Sequence, residues 1–177
     1  MQQGQLTPEA FLAWLEGVGI RHETIRHPPV FTVAESKRER IHERLPGAHV
    51  KNLFLKDREG RFWLATLLEH RRVPIGALAR SLGLPRMSFG SPEELGALLG
   101  VTPGAVTPFA LVNDRGHRVG FILDRELWEA QGRITAHPLT NTATTSVSAE
   151  DFRRFLALTG HQPRIADVAA LMKADAG

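Results

Sequence analysis

Two short polar turns, each closed by a glycine, constrain this chain more than any other feature. Asp57-Arg58-Glu59-Gly60 separates apolar runs at residues 50–56 and 61–68, and Asn113-Asp114-Arg115-Gly116 separates runs at 109–112 and 118–123. Turns of this length join neighbouring antiparallel strands, so two hairpins are expected. A parallel crossover would need a dozen or more residues at each place. The chain is therefore expected to be α+β rather than a doubly wound parallel sheet.

Helix signals surround these runs. Thr7-Pro8-Glu9 offers a capping threonine with proline at the first helical position, and Phe11, Trp14, Leu15 and Val18 follow at helical spacing, ending near Gly17 or Gly19. Ser91-Pro92-Glu93-Glu94 is a capping box opening a helix over 92–99, and Ser148 caps a last helix carrying Phe152, Phe155 and Leu156. Further helices are expected over 33–45, closed by Pro46-Gly47, and over 74–82. Short strands are expected over 22–27, 133–136 and 142–147, the last rich in β-branched threonine. With no internal repeat or long linker, residues 1–177 read as one domain.

The absence of cysteine excludes disulfides, thiolate metal sites and thiol nucleophiles, and agrees with a reducing cytoplasm. No run resembles a signal peptide or a membrane span, so a cytoplasmic protein without membrane contact is expected. The net charge of +3 is unevenly spread: fourteen basic and seven acidic residues between Arg21 and Arg86 give +7 there, leaving −4 elsewhere. Such a surplus suits a polyanionic partner, and equally a solvated basic surface. Eighteen arginines stand against four lysines, which draws attention to a lysine inside an apolar run.

Neither the His22/His27 nor the His42/His49 spacing is that of metal ligands, so no metal is expected. No nucleophile elbow or Walker loop is present either. Three segments remain. In the first, Lys51-Asn52-Leu53-Phe54-Leu55, a strand puts Lys51 on one face with Leu53 and Leu55. There its ammonium would be desolvated and useful as a donor or proton shuttle, or would snorkel to water. The second, residues 100–109, holds two glycines and two prolines, and would present bare backbone N–H groups or simply connect helix to strand. The third runs from Ala136 to Thr142, with His137 at the entry to a turn, where it would bind a substrate's polar group or the turn's own backbone.

In this order the segments resemble the YbaK/ProX family of trans-editing aminoacyl-tRNA deacylases, related to the insertion domain of bacterial prolyl-tRNA synthetase, and within it the free-standing PrdX or ProXp-ala branch. Phe31-Thr32-Val33-Ala34-Glu35, Lys51 to Leu55, Gly104 to Phe109, Leu123-Asp124, and His137-Pro138 with Asn141-Thr142 carry the resemblance. It implies a mixed, mainly antiparallel curved sheet surrounded by helices, and no cofactor. It further implies Lys51 as the essential lysine at the ester and Asn52 as its neighbour in the site. Gly104, Ala105, Val106, Thr107 and Pro108 would form the loop that closes on the aminoacyl end. Phe31 and Thr32 would stand at the pocket wall, with His137 and Asn141 completing the binding residues. In such enzymes the tRNA's terminal ribose assists the attacking water.

The expected function is hydrolysis in trans of alanyl-tRNA(Pro). The alternatives are another mischarged ester (cysteinyl-tRNA(Pro), or a seryl or threonyl ester) and a non-catalytic module that binds tRNA or a synthetase. Mischarged tRNA is the expected partner, with prolyl-tRNA synthetase or an elongation factor as a transient one. The oligomeric state stays open, a monomer being compatible.

Overall fold

The computed structural model describes residues 4–175. Thr7 accepts from the Ala10 N–H at the start of α1 (Pro8–Gly17), and the capped helix buries Phe11 and Leu15. After β1 (Glu23–Arg26) come two short helices, α2 (Val33–Arg38) and α3 (Ile41–Arg44). The hairpin of β2 (Ala48–Asp57) and β3 (Phe62–Leu68) follows, then α4 (Ile75–Ser81), β4 (Met87–Phe89) and α5 (Pro92–Leu99). Two 3-10 turns, Pro103–Ala105 and Pro108–Asn113, lead into β5 (Val119–Asp124) and α6 (Arg125–Trp128). The chain then runs through β6 (Arg133–Ala136), β7 (Ala143–Ser148), α7 (Ala149–Thr159), β8 (Arg164–Ala166) and α8 (Val168–Asp175).

The strands form one mixed sheet in the order β1-β7-β6-β2-β3-β5-β8, with β4 beside β2. The pairs β1–β7, β6–β7, β2–β3 and β2–β4 are antiparallel, whereas β2–β6, β3–β5 and β5–β8 are parallel. Period-two alternation divides the core between the sheet's faces. Leu64, Phe121 and Leu123 pack with α1, α5 and α7. Trp63, Ala65, Leu67 and Ile122 pack with α4 and α8. On α7, Phe152, Phe155 and Leu156 lie on one helical face and are fully buried, each contributing about 1.5–3 kcal/mol by leaving water.

Two expectations fail. Residues 33–45 are not one helix: Arg40 takes a left-handed conformation (φ 53°) between α2 and α3. The break lets α3 leave the direction of the charged run and bury Ile41, with Leu45 buried just beyond it. The second hairpin is absent. Residues 109–112 lie in a 3-10 turn, opened by Pro108 and capped by Thr107 Oγ1 on the Phe109 N–H. Phe109, Ala110 and Leu111 are all buried, a run with no alternating face for a strand to expose. Asp114 then accepts from the backbone N–H groups of Arg118 and Val119, and β5 enters parallel to β3.

Candidate functional site

The site forms where β2 runs out of partners. One edge of β2 is bonded to β3 along residues 50–56, while the other is shared. Ala48 and His49 pair with β6, and Leu55, Lys56 and Asp57 pair with β4. Between them the edge is open. His49 O accepts from Glu69 N on the β3 side, and Phe54 O accepts from Gly90 N on the other. Peptide groups alternate along a strand, so Asn52, in step with Phe54, directs its backbone N–H and C=O to the open edge. A cavity of about 220 Å³ occupies this gap, smaller than pockets that hold drug-sized ligands.

Lys51 lines the cavity, on the β2 face where Leu53 and Leu55 pack into the core. Burial, with the Arg72 guanidinium as a second cause, lowers its pKa from the usual lysine value. Its ammonium donates to the Arg71 carbonyl, to which Arg72 also donates at 3.1 Å. Arg71 is itself fixed, its guanidinium reaching Asp124 at 2.9 Å and Glu126 at 2.8 Å. Two ammonium hydrogens remain for a ligand. On the opposite face of β2 at the same gap, Asn52 Oδ1 accepts from the Thr66 hydroxyl at 2.6 Å, which leaves its amide nitrogen as a donor without a partner among the described residues.

The opposite wall comes from loops. Thr32 and Glu35 form a capping box at the start of α2, which fixes the backbone carrying Phe31. Phe31 is 71% exposed at the cavity mouth and lies over Gly104. A Cβ on Gly104 would come within 2.7 Å of the Phe31 ring and 3.1 Å of the Asn141 amide nitrogen, so glycine is what permits this approach.

His137 closes the far end. Its Nδ1–H donates to the Ala143 carbonyl at 2.9 Å, leaving Nε2 as an acceptor. Burial lowers its pKa below the usual 6.5 against the pull of that carbonyl, and nearby His27 adds to the lowering.

Of the residues singled out in the sequence, Phe31, Thr32, Lys51, Asn52, Gly104, Val106 and His137 line one cavity. Ala105, Thr107 and Pro108 do not: they are buried, and Thr107 serves as a helix cap. Asn141 is not among the lining residues either, but it adjoins two that are: its backbone carbonyl accepts from Val30 N, and its amide nitrogen stands against Gly104.

Two ionisable cavity residues stand outside the site expected from the sequence, His49 and Glu69. With His42 they offer ligand atoms within 4.8 Å of one another, a set able to hold a divalent metal that linear spacing does not disclose. The hairpin holds the signal. Counting outward from Lys56 opposite Phe62 sets Glu69 across from His49.

Chemically, the cavity combines an ammonium, an amide and an open peptide edge as donors with an imidazole nitrogen and a carboxylate as acceptors. Among the described residues that line it there is no cysteine, and the Ser36 hydroxyl makes no hydrogen bond to a described histidine or carboxylate. Such a set can orient a water and stabilise an oxyanion without a covalent intermediate.

Residues 27–155 match the family model described as aminoacyl-tRNA editing domain. The chain is 41% identical over 155 residues to prolyl-tRNA synthetase associated domain-containing protein 1 of Bos taurus, covering 85% of this chain and 89% of that protein. It is 32% identical over 154 residues to the prolyl-tRNA editing protein ProX of Acetoanaerobium sticklandii, covering 86% and 92%. A solved structure described as that of a candidate trans-editing enzyme for prolyl tRNA synthetase superposes with a TM-score of 0.63 at 22% identity, over 90% of this chain and 96% of that one.

Proposed function

The chain belongs to the aminoacyl-tRNA editing domain family, and from that premise we propose that it hydrolyses the ester of mischarged tRNA(Pro) in trans, with alanyl-tRNA(Pro) as substrate. The observation that carries the reading is Lys51, desolvated and anchored beside the open β2 edge in a cavity of about 220 Å³. The aminoacyl ester enters with its carbonyl toward the Lys51 ammonium and the Asn52 backbone N–H at the open edge. Water adds to that carbonyl, and the oxyanion accepts hydrogen bonds from these donors. Collapse expels the ribose oxygen, which takes up the proton that the attacking water gave up, and releases the amino acid. The vicinal ribose hydroxyl orients the water, so the protein needs no nucleophile of its own.

The small cavity fits a second sieve. A synthetase pocket shaped for proline rejects alanine weakly, because a missing methylene or two is worth only about 1–3 kcal/mol. A site too small for the larger side chain supplies what the first cannot. The basic surplus in residues 21–86 supports attraction of the tRNA backbone, and Lys37 and Arg72 line a neighbouring groove that shares His49 and Glu69 with the cavity.

The test is a panel of alanyl-, cysteinyl-, seryl- and prolyl-tRNA(Pro). Free alanine should be released while the prolyl ester is spared, and Lys51→Ala should slow release about 100-fold or more. Release no faster than buffer hydrolysis ends the reading. A preference for the cysteinyl or seryl ester keeps the deacylase and changes its substrate. Tight tRNA binding without turnover, indifferent to Lys51→Ala, would make it a binding module.

A further inference from the structure

Glu69 supplies the only acidic side chain among the described residues lining the cavity. It follows β3 and sits across from His49, on the same face of the hairpin as Lys51. His42 Nε2–H donates to its Oε2 at 2.7 Å, fixing the carboxylate from behind. The other oxygen has no hydrogen-bond partner among the described residues and is not sealed from solvent, since the one buried side-chain atom lacking a partner there is His42 Nδ1. Lys51, the one Lys or Arg among the described residues lining the cavity, donates to the Arg71 carbonyl instead. The cavity thus holds a carboxylate that His42 orients through one oxygen and that no Lys or Arg pairs among the described residues, with the second oxygen left to accept from a cationic ligand.

We infer that Glu69, held by His42, binds the α-ammonium group of the aminoacyl ester. The inference rests on the deacylase reading and names the feature of the substrate that this part of the site recognises. A free aminoacyl ester carries a cation on the α-carbon, two bonds from the carbonyl carbon under attack. An N-acylated or peptidyl ester is neutral there and larger. A carboxylate at this point selects the free amine, so peptidyl-tRNA and N-blocked initiator-type esters are spared by charge as well as by size. Glu69 is a specificity residue: it acts on binding, while the ester carbonyl lies with Lys51 and Asn52.

The experiment uses a non-hydrolysable amide, 3′-(L-alanylamino)-3′-deoxyadenosine, and its N-acetyl derivative, titrated by calorimetry into the full chain with chelator present throughout. Wild-type protein should bind the free amine at least about tenfold more tightly, as expected for a charge-assisted hydrogen bond. E69Q, whose amide oxygen still accepts from His42, should bind both alike. In deacylation, E69Q should raise KM for alanyl-tRNA(Pro) with kcat little changed. Wild-type protein that hydrolyses alanyl-tRNA(Pro) yet binds both probes equally overturns the Glu69 assignment alone, as does E69Q that keeps the preference. Wild-type protein that prefers the free amine but hydrolyses no mischarged tRNA overturns the functional reading alone.

Discussion

Lys51 is held by the backbone of Arg71: its ammonium donates to the Arg71 carbonyl, so the position of the proposed catalytic group depends on a residue twenty places along the chain. Arg71 is placed by its own side chain, buried against Asp124, which is fully buried and also accepts from Leu68 N and Glu126 N.

Removing the Arg71 guanidinium would leave the Asp124 carboxylate buried without its cation. Arg71→Ala is therefore expected to cost about 3–5 kcal/mol, read as a lower urea midpoint. Activity of the fraction that stays folded should also fall, because the carbonyl holding Lys51 loses its anchor. Unchanged stability would mean that the pair is not a structural linchpin.

Gly104→Ala should separate binding from folding. The added Cβ would meet the exposed Phe31 ring at 2.7 Å, and that ring can swing away. Stability should change by no more than about 0.5 kcal/mol, as for most surface substitutions. KM for alanyl-tRNA(Pro) should rise, since the displaced ring leaves the cavity mouth. A melting temperature lowered as far as by a core deletion would contradict this geometry.

How much of this was legible in the sequence depended on whether a signal was local. Caps at Thr7, Ser91 and Ser148 and the hairpin at residues 57–60 are set by neighbouring residues, and each helix or turn formed where its cap or glycine predicts. The turn at Asn113 misled because Asp114 bonds to β5 backbone and to His161, forty-seven residues away, rather than closing a hairpin. Arg40 gave no warning, since its left-handed backbone follows from burying Ile41 and Leu45 rather than from a glycine. Lys51, Asn52 and His137 stand out by type and neighbours. Glu69 does not, because its role arises from register and from His42 across the fold.

Acid should weaken the fold through buried imidazoles. Burial lowers the pKa values of both His137 and His49 from 6.5. The unfolded chain therefore binds more protons than the folded one just below pH 6.5, so stability is full above that value and declines as pH falls through it toward the folded pKa values. Urea denaturation between about pH 5 and 8 should show this slope, and His137→Asn should flatten part of it. A midpoint that rises on acidification would contradict the direction.

Binding of tRNA should weaken steeply with salt, as it does when lysines and arginines displace condensed counterions. Lys37→Ala and Arg72→Ala, beside the cavity in the adjoining groove, should each reduce the log–log slope by about 0.7–0.9. Lys173→Ala, on α8 and far along the chain from the basic segment, should leave it unchanged. A slope near zero would leave the basic surplus as a solvated surface.

Metal chelation distinguishes two uses of the same three side chains. His42, His49 and Glu69 come close enough to ligate a divalent ion, yet their hydrogen bonds are already assigned otherwise. His42 Nε2 is spent on Glu69 and His49 Nε2 on the Leu45 carbonyl, so a metal would have to take the Nδ1 atoms or break the His42–Glu69 bond. Burial also lowers the His49 pKa, which keeps an uncharged ring beside the cavity without a cation to hold it so. Dialysis against a chelator is accordingly expected to leave deacylation and melting temperature unchanged, and added zinc should bind no tighter to wild-type protein than to His49→Ala. Loss of activity on dialysis, restored by stoichiometric zinc, would assign Glu69 to a metal centre and remove it as the partner of the substrate's ammonium group.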